Sequence, residues 1–277
     1  TPEAMKRHIY ILMSILLSVP VAMPVAAQCF DMTNLYADNV VCTTGSFNKP
    51  YQYTGVVSGR QTVMNDPNAY DANIPQLRCV PPGETAAVRL GNDRTGAQAE
   101  SITYEYTVDA DNTIVLLKYA AVMENPNHNA TNQPRLILQI LDANDNLIDE
   151  DCASFKFVAS QALGWTSLYN GSLLWKDWTA VGVDLSAYVG QTVRIRLTNY
   201  DCSQGGHYGY AYIHLSCTPK EIVSSACGDE ATTTFSAPAG FEYNWYKLSG
   251  GTRIPVGNTQ SVTVPLDGDT YYCDIAQ

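Results

Sequence analysis

The sequence predicts an all-β protein, a large antiparallel sandwich followed by a smaller one, and three observations carry that expectation. Helical periodicity is almost absent after residue 28. In its place come short runs rich in Val, Ile, Thr and Tyr, many alternating apolar with polar and punctuated by Gly, Pro, Asn and Asp. All eight cysteines lie after residue 28, an even count that reads as a disulfide framework.

The N-terminal stretch stands apart from this pattern. Lys6, Arg7 and His8 precede the apolar run "IYILMSILLSVPVAMPVAA", and Val25-Ala26-Ala27 offers a small-residue exit before Gln28. This is the layout of a secretory signal peptide over residues 1–27, with Thr1–Ala4 lying ahead of a start at Met5. A membrane anchor needs about 20 unbroken apolar residues, and Pro20 and Pro24 interrupt the run. Gln28 also stands where lipidation of Cys29 would want a small residue. The expected location is therefore secreted, at the cell surface or beyond it, with no membrane span once the signal is removed.

The strands follow in order. "SITYEYTV" alternates Ile102, Tyr104, Tyr106 and Val108 against polar neighbours, while "TIVLLKYAAVM" is nearly continuous, as suits a central strand covered on both sides. "PRLILQIL", the turn "DANDN" and "LIDEDC" read as a hairpin. "CASFKFVAS", "LLWKDWTAVGVDL", "QTVRIRLTNYDC" and "GGHYGYAYIHLSC" complete the first domain, assigned to residues 28–220. In the last of these, period two places His207, Gly209, Ala211, Ile213 and Leu215 on one face and Tyr208, Tyr210, Tyr212 and His214 on the other. The two histidines then point apart, which speaks against a shared metal.

Pro219, Ser224 and Ser225 mark a boundary. Beyond it, over residues 221–277, Trp245 lies between Cys227 and Cys273, and Asp269, Tyr271 and Cys273 form D-x-Y-x-C with the tyrosine two residues before the cysteine. That is the pattern of an immunoglobulin-like sandwich with its core tryptophan and tyrosine corner. It predicts a Cys227–Cys273 bond in a small domain whose final strand is missing at the C-terminal end.

The formal net charge is −11 at pH 7, and losing residues 1–27, with two cations and one carboxylate, makes it more negative. Such a chain repels phosphate backbones, so no nucleic-acid partner is expected. No two cysteines have zinc-site spacing. "DANDN" has Leu147 and Ala153 where a calcium loop needs Gly and Glu, and an Asx-rich turn explains it without metal. No cofactor is expected, apart from a structural calcium clip at a sandwich rim with Asp31 as its weak candidate ligand. No serine or cysteine motif recruits His128, and no carboxylates pair as in a glycosidase, so no catalytic residue is named. Ligand contact falls instead to aromatics. Trp165, beside the Asn170-Gly171 turn, and the row Tyr208, Tyr210 and Tyr212 are candidates to stack on sugar rings. The competing expectation, that the tyrosines simply pack within the sandwich, suits ordinary strand residues better.

"RLGNDRTGAQAESITYEYTV", "LLKYAAVMENPNHNATNQPRLILQILDAND", "WKDWTAVGVDLSAYVGQTVRIRLTNYDC" and "GGHYGYAYIHLSC" occur in this order. Together they resemble the jelly-roll module near the N-termini of Bacteroidota surface proteins, gliding-motility-associated or adhesin-like, that type IX secretion exports. The resemblance covers roughly residues 30–220, and the smaller sandwich is similar to the repeats such proteins carry downstream. It implies a jelly-roll sandwich related to MAM-like and cleaved-adhesin modules, with no catalytic residues and with the secretion machinery as a partner. The expected function is a non-catalytic adhesion or display module meeting an extracellular protein or glycan surface. The alternatives are a carbohydrate-binding jelly roll, or the accessory N-terminal region of a surface protease or glycosidase.

Overall fold

The computed structural model describes residues 29–150, 153–159, 164–225 and 231–276. The first domain is an antiparallel jelly-roll sandwich of two six-stranded sheets. One sheet has the order β2-β1-β5-β11-β7-β8, from β1 (Val40–Ser46), β2 (Lys49–Thr54), β5 (Gln98–Thr107), β7 (Arg135–Leu141), β8 (Ser154–Val158) and β11 (Thr192–Tyr200). The other runs β3-β4-β12-β6-β10-β9, from β3 (Gln61–Met64), β4 (Ala87–Gly91), β6 (Ile114–Glu124), β9 (Thr166–Leu168), β10 (Leu173–Asp184) and β12 (Gly209–Thr218).

Alternation along each strand decides what lies between the sheets. Ile102, Tyr104, Leu138, Ile140, Ile195 and Leu197 point inward from the first sheet and meet Val88, Leu90, Leu117, Ala121, Ile213 and Leu215 from the second. Phe30, Met32 and Leu35 from the N-terminal segment close one end of this core. A Cys29–Cys217 disulfide joins that segment to β12. Bridging residues 188 apart removes loop freedom from the unfolded chain worth about 5 kcal/mol in the chain-entropy account.

At the other end the sheets are tied by polar groups. Asn199 of β11 donates from Nδ2 to the Gly209 carbonyl of β12 (2.7 Å) and to Glu100 (3.1 Å), which is also ion-paired to Arg60. Asp201 accepts from the Gln98 and Gly209 amides. Gly209 lets the sheets approach closely, since a Cβ there would stand 3.0 Å from Pro134 and 3.1 Å from the Tyr200 carbonyl. Burial pushes the Asp201 carboxyl up to about 7, with the Glu100 charge adding to the effect.

The continuous run 113–123 becomes β6, which is central in its sheet. The hairpin expected from "LIDEDC" is different. Leu147 makes a single bridge to Leu141, and the strand that pairs with β7 is β8, Leu138 lying opposite Phe155. The cause is local: the Asp142 carboxylate accepts from the Asn144 and Asn146 amides and closes a tight Asx turn. The exposed Asp149 and Glu150 then carry the chain away from the ladder.

The smaller domain faces β13 (Val223–Ser224), β14 (Thr232–Ser236) and β17 (Ser261–Pro265) against β15 (Glu242–Ser249), β16 (Thr252–Gly257) and β18 (Tyr271–Ala276). Trp245 is fully buried, sits opposite Cys273 in the β15–β18 ladder and donates from Nε1 to the Thr259 carbonyl. This is the packing expected of an Ig-like core. Cys227 falls outside the described residues, while Cys273, the partner expected for it, is a buried free thiol, as are Cys42, Cys79 and Cys202. Among the described residues only Cys29 and Cys217 are bridged, so the expected disulfide framework is not realised there. Tyr271 departs from the tyrosine-corner expectation: its hydroxyl donates to the Asp267 carboxylate (3.2 Å), a stronger acceptor than the backbone group such a tyrosine ordinarily takes.

The two domains meet on β10. The short β9 covers only Leu173–Trp175, so the far half of β10 is an edge. There the Gly182 amide donates to the Gly240 carbonyl (2.9 Å), and Phe241 lies so close that a Cβ on Gly182 would fall 2.2 Å from its ring.

Candidate ligand-binding face

Each sheet has an outer face, and their fates differ. On the second sheet, Ala120, Val122, Trp175, Tyr210 and Tyr212 point outward, and the long β3–β4 connection packs Ile74, Leu77 and Cys79 over them. Asp71 sits at the centre of this cover. It accepts from the Tyr210 hydroxyl (2.9 Å), the Tyr212 hydroxyl (2.7 Å) and the amides of Asn73 and Ile74. Tyr210 and Tyr212 are 2% and 1% exposed, and burial beside the Asp71 charge raises both phenols well above their ordinary range. Their ring faces are therefore taken by protein. Tyr208 continues the row, stacked on Tyr210 with centroids 6.1 Å apart, half-buried and pushed up to about 12 by burial. Packing, not ligand contact, uses this row.

The other candidates are dispersed. Trp165 is half-buried and packs against the main core. Asp31 turns its carboxylate onto the Thr33 hydroxyl (2.6 Å) and amide (2.8 Å), which hold it below the usual carboxylate range. Among the described residues no three His, Cys, Asp or Glu side chains gather to hold a metal, so Asp31 is a turn residue without companions for a calcium clip. His214 Nδ1 bonds the Ala86 carbonyl (2.8 Å) and Nε2 faces Glu84 (3.2 Å). His207 lies beside Cys202 and against the His128 ring, on the opposite side of the strand from His214 as period two requires.

The outer face of the first sheet is built differently. The register stacks Thr43, Ser101, Thr198, Ile137 and Lys156 in one row across five strands, with Thr103, Arg196 and Gln139 in the next. Tyr200 and Arg135 lie opposite each other on the other side of the first row. The β1–β2 hairpin then folds aromatic side chains over this polar floor. Tyr51 reaches Thr198, their hydroxyls 3.2 Å apart, and the Arg196 guanidinium lies 4.7 Å from its ring centre. Phe47, at the hairpin tip, meets Tyr200, and Arg135 stacks against both rings at 4.5 and 4.8 Å. Tyr51 is 42% exposed and Tyr53 62%.

The hydroxyls of Thr43, Ser101, Thr103 and Thr198 are buried beneath; above them Tyr51 stays partly open with planar cations beside it, an aromatic face next to hydrogen-bond donors. None of these residues is among the aromatic candidates drawn from the sequence. The available signal was "KPYQYT", a tyrosine-bearing strand whose Pro50 marks it as an edge. A second concavity, of about 480 Å³, lies around β3 and is lined by Tyr36, Gln61, Thr62 and Arg89 among others.

No family model matches the chain, and no curated protein matches it. Solved structures similar to it include TmCBM61 bound to β-1,4-galactotriose, at 10% identity over 64% of this chain and 88% of that one, TM-score 0.35. A family 11 carbohydrate-binding module from Clostridium thermocellum, in complex with a β-1,3-1,4-mixed-linked tetrasaccharide, aligns at 8% identity over 69% and 95%, TM-score 0.29. A β-1,2-glucanase from Parabacteroides distasonis aligns at 12% identity over 86% of this chain and 34% of that one, TM-score 0.28. With identities and scores this low, no residue here takes a role from these alignments.

Proposed function

We propose that the first sandwich is a carbohydrate-binding module whose contact surface is the outer face of its first sheet. The observation that supports this best is the half-exposed Tyr51, which bonds Thr198 and lies against the Arg196 guanidinium on this face. A sugar offers the same mixture, with C–H faces that lie on an aromatic ring and hydroxyls that need directed partners. Tyr51 supplies the platform. Gln139 and Arg196 supply donors, and the hydroxyls already bonded to one another hold the floor rigid.

The binding is without chemistry. Asp71, Glu100 and Asp201, the buried carboxylates, are 5%, 1% and 2% exposed and bonded within the protein, so no glycosidic bond reaches them. On an exported protein, as residues 1–27 imply, such a face attaches its bearer to a glycan surface.

A glycan array followed by calorimetry on the full chain tests the proposal. Binding by wild type that drops about tenfold in Tyr51→Ala, and persists in Trp165→Ala, supports it. A folded wild-type protein that binds no glycan on the array overturns it.

A further inference from the structure

Charge on this face is arranged in a way the carbohydrate reading does not require. Arg135, Lys156, Arg194 and Arg196 all belong to it, four of the chain's sixteen lysines and arginines. Asp145 and Glu105 answer Arg194, and Asp145 also answers Arg196. The other two have no such partner: among the described residues, no ion pair involves Arg135 or Lys156. In a chain of net charge −11, cations gathered without counter-ions are a local reversal of sign.

Arg135 is the most telling of them. Its guanidinium is held against Phe47 and Tyr200, one Nη donates to the Thr131 carbonyl (2.7 Å), and its Nε is buried with no acceptor. The two rings hold the planar cation in place by cation–π attraction, and with no anion of the chain beside it its charge is open to an anionic partner. Lys156 stands on the adjacent strand, diagonal to Arg135 in the β7–β8 register, within reach of a shared anionic ligand.

We infer that this face selects acidic polysaccharide, with Arg135 and Lys156 receiving carboxylate or sulfate groups while Tyr51 carries a sugar ring. The inference rests on the carbohydrate reading and adds the ligand's charge to it. Arg135 serves as the directed element, through the guanidinium N–H groups that Thr131 does not take, and Lys156 as a point charge.

The test titrates the full chain with polygalacturonate, with heparin, and with a neutral galactan and a neutral β-glucan. The expected result is acidic chains binding about tenfold or more tighter than neutral ones, a preference that shrinks as salt rises from about 25 to about 300 mM. Arg135→Gln with Lys156→Gln is expected to remove about tenfold from acidic binding and leave neutral binding unchanged. Arg89→Gln, on the other sheet, is expected to change neither. Should Arg135→Gln fail to fold, the exposed Lys156→Gln alone carries the test, with about a threefold loss expected. Response to polygalacturonate alone or to heparin alone identifies the anionic group as carboxylate or sulfate, and either supports the inference. Neutral glycans binding as tightly as acidic ones, or acidic binding indifferent to both substitutions, overturns it while leaving the carbohydrate reading intact. No binding by any glycan overturns both.

Discussion

The two outer faces of the sandwich begin from similar material and end as opposites. Each strand set presents tyrosines at alternate positions: Tyr208, Tyr210 and Tyr212 on β12, Tyr51 and Tyr53 on β2. On the second sheet a long connection folds back, buries the rings and supplies one carboxylate to their hydroxyls. On the first sheet only a two-residue hairpin tip and its strand lie over the face, and the rings stay in contact with water. A tyrosine's role is thus set by what covers it, not by its strand. The covered face is structure, and the uncovered one is available to a ligand.

The contrast can be broken most sharply at Asp71. Asp71→Ala leaves two buried phenols and two amides without their acceptor, and is expected to cost about 3–4 kcal/mol in urea denaturation. A loss below about 1 kcal/mol would mean that the cover is not held from its centre.

Next in size is a pH effect where the sheets join. Asp201 and Glu100 are both raised by burial, so folding favours their protonated forms. For Asp201 that stabilisation is complete below the unfolded value near 3.8 and is lost as pH climbs to about 7. His214, lowered by burial, acts in the opposite sense: its contribution is present above 6.5 and declines as pH falls. Comparison with Asp201→Asn isolates the carboxyl, and the stability difference between pH 5 and pH 8 is expected to change by on the order of 2 kcal/mol. An unchanged difference would assign the pH response elsewhere.

Smaller still, Tyr212→Phe removes one hydroxyl from the Asp71 network and is expected to cost about 1 kcal/mol. Tyr53→Ala, at an exposed position of the edge strand β2, should alter stability by no more than about 0.5 kcal/mol. If Tyr53→Ala destabilises as much as Tyr212→Phe, the two faces are less different than their burial implies.

Much of the fold was legible in the residues. Period two sorted β12 into Ala211, Ile213 and Leu215 inside and the tyrosines outside, and Trp245 between two cysteines announced the second core. Local chemistry could not show where the tyrosines' cover came from, because Asp71 lies 139 residues from Tyr210. The pairing of β7 was misjudged for a related reason. "LIDEDC" looks like a return strand, but a side-chain acceptor at Asp142 closes the turn early and the ladder resumes only at Ser154. The candidate face went unseen because its parts come from six strands, and only the register brings Arg135, Arg196 and Tyr51 together.

The Cys29–Cys217 bond has a mechanical consequence. It welds the first described residue to the penultimate residue of β12, just before the chain leaves for the smaller domain. Tension applied across the first sandwich from its two ends passes through sulfur atoms, not through the β-ladders between. A pull that would peel an unbridged sandwich strand by strand leaves this one folded, so the first sheet keeps its shape under load.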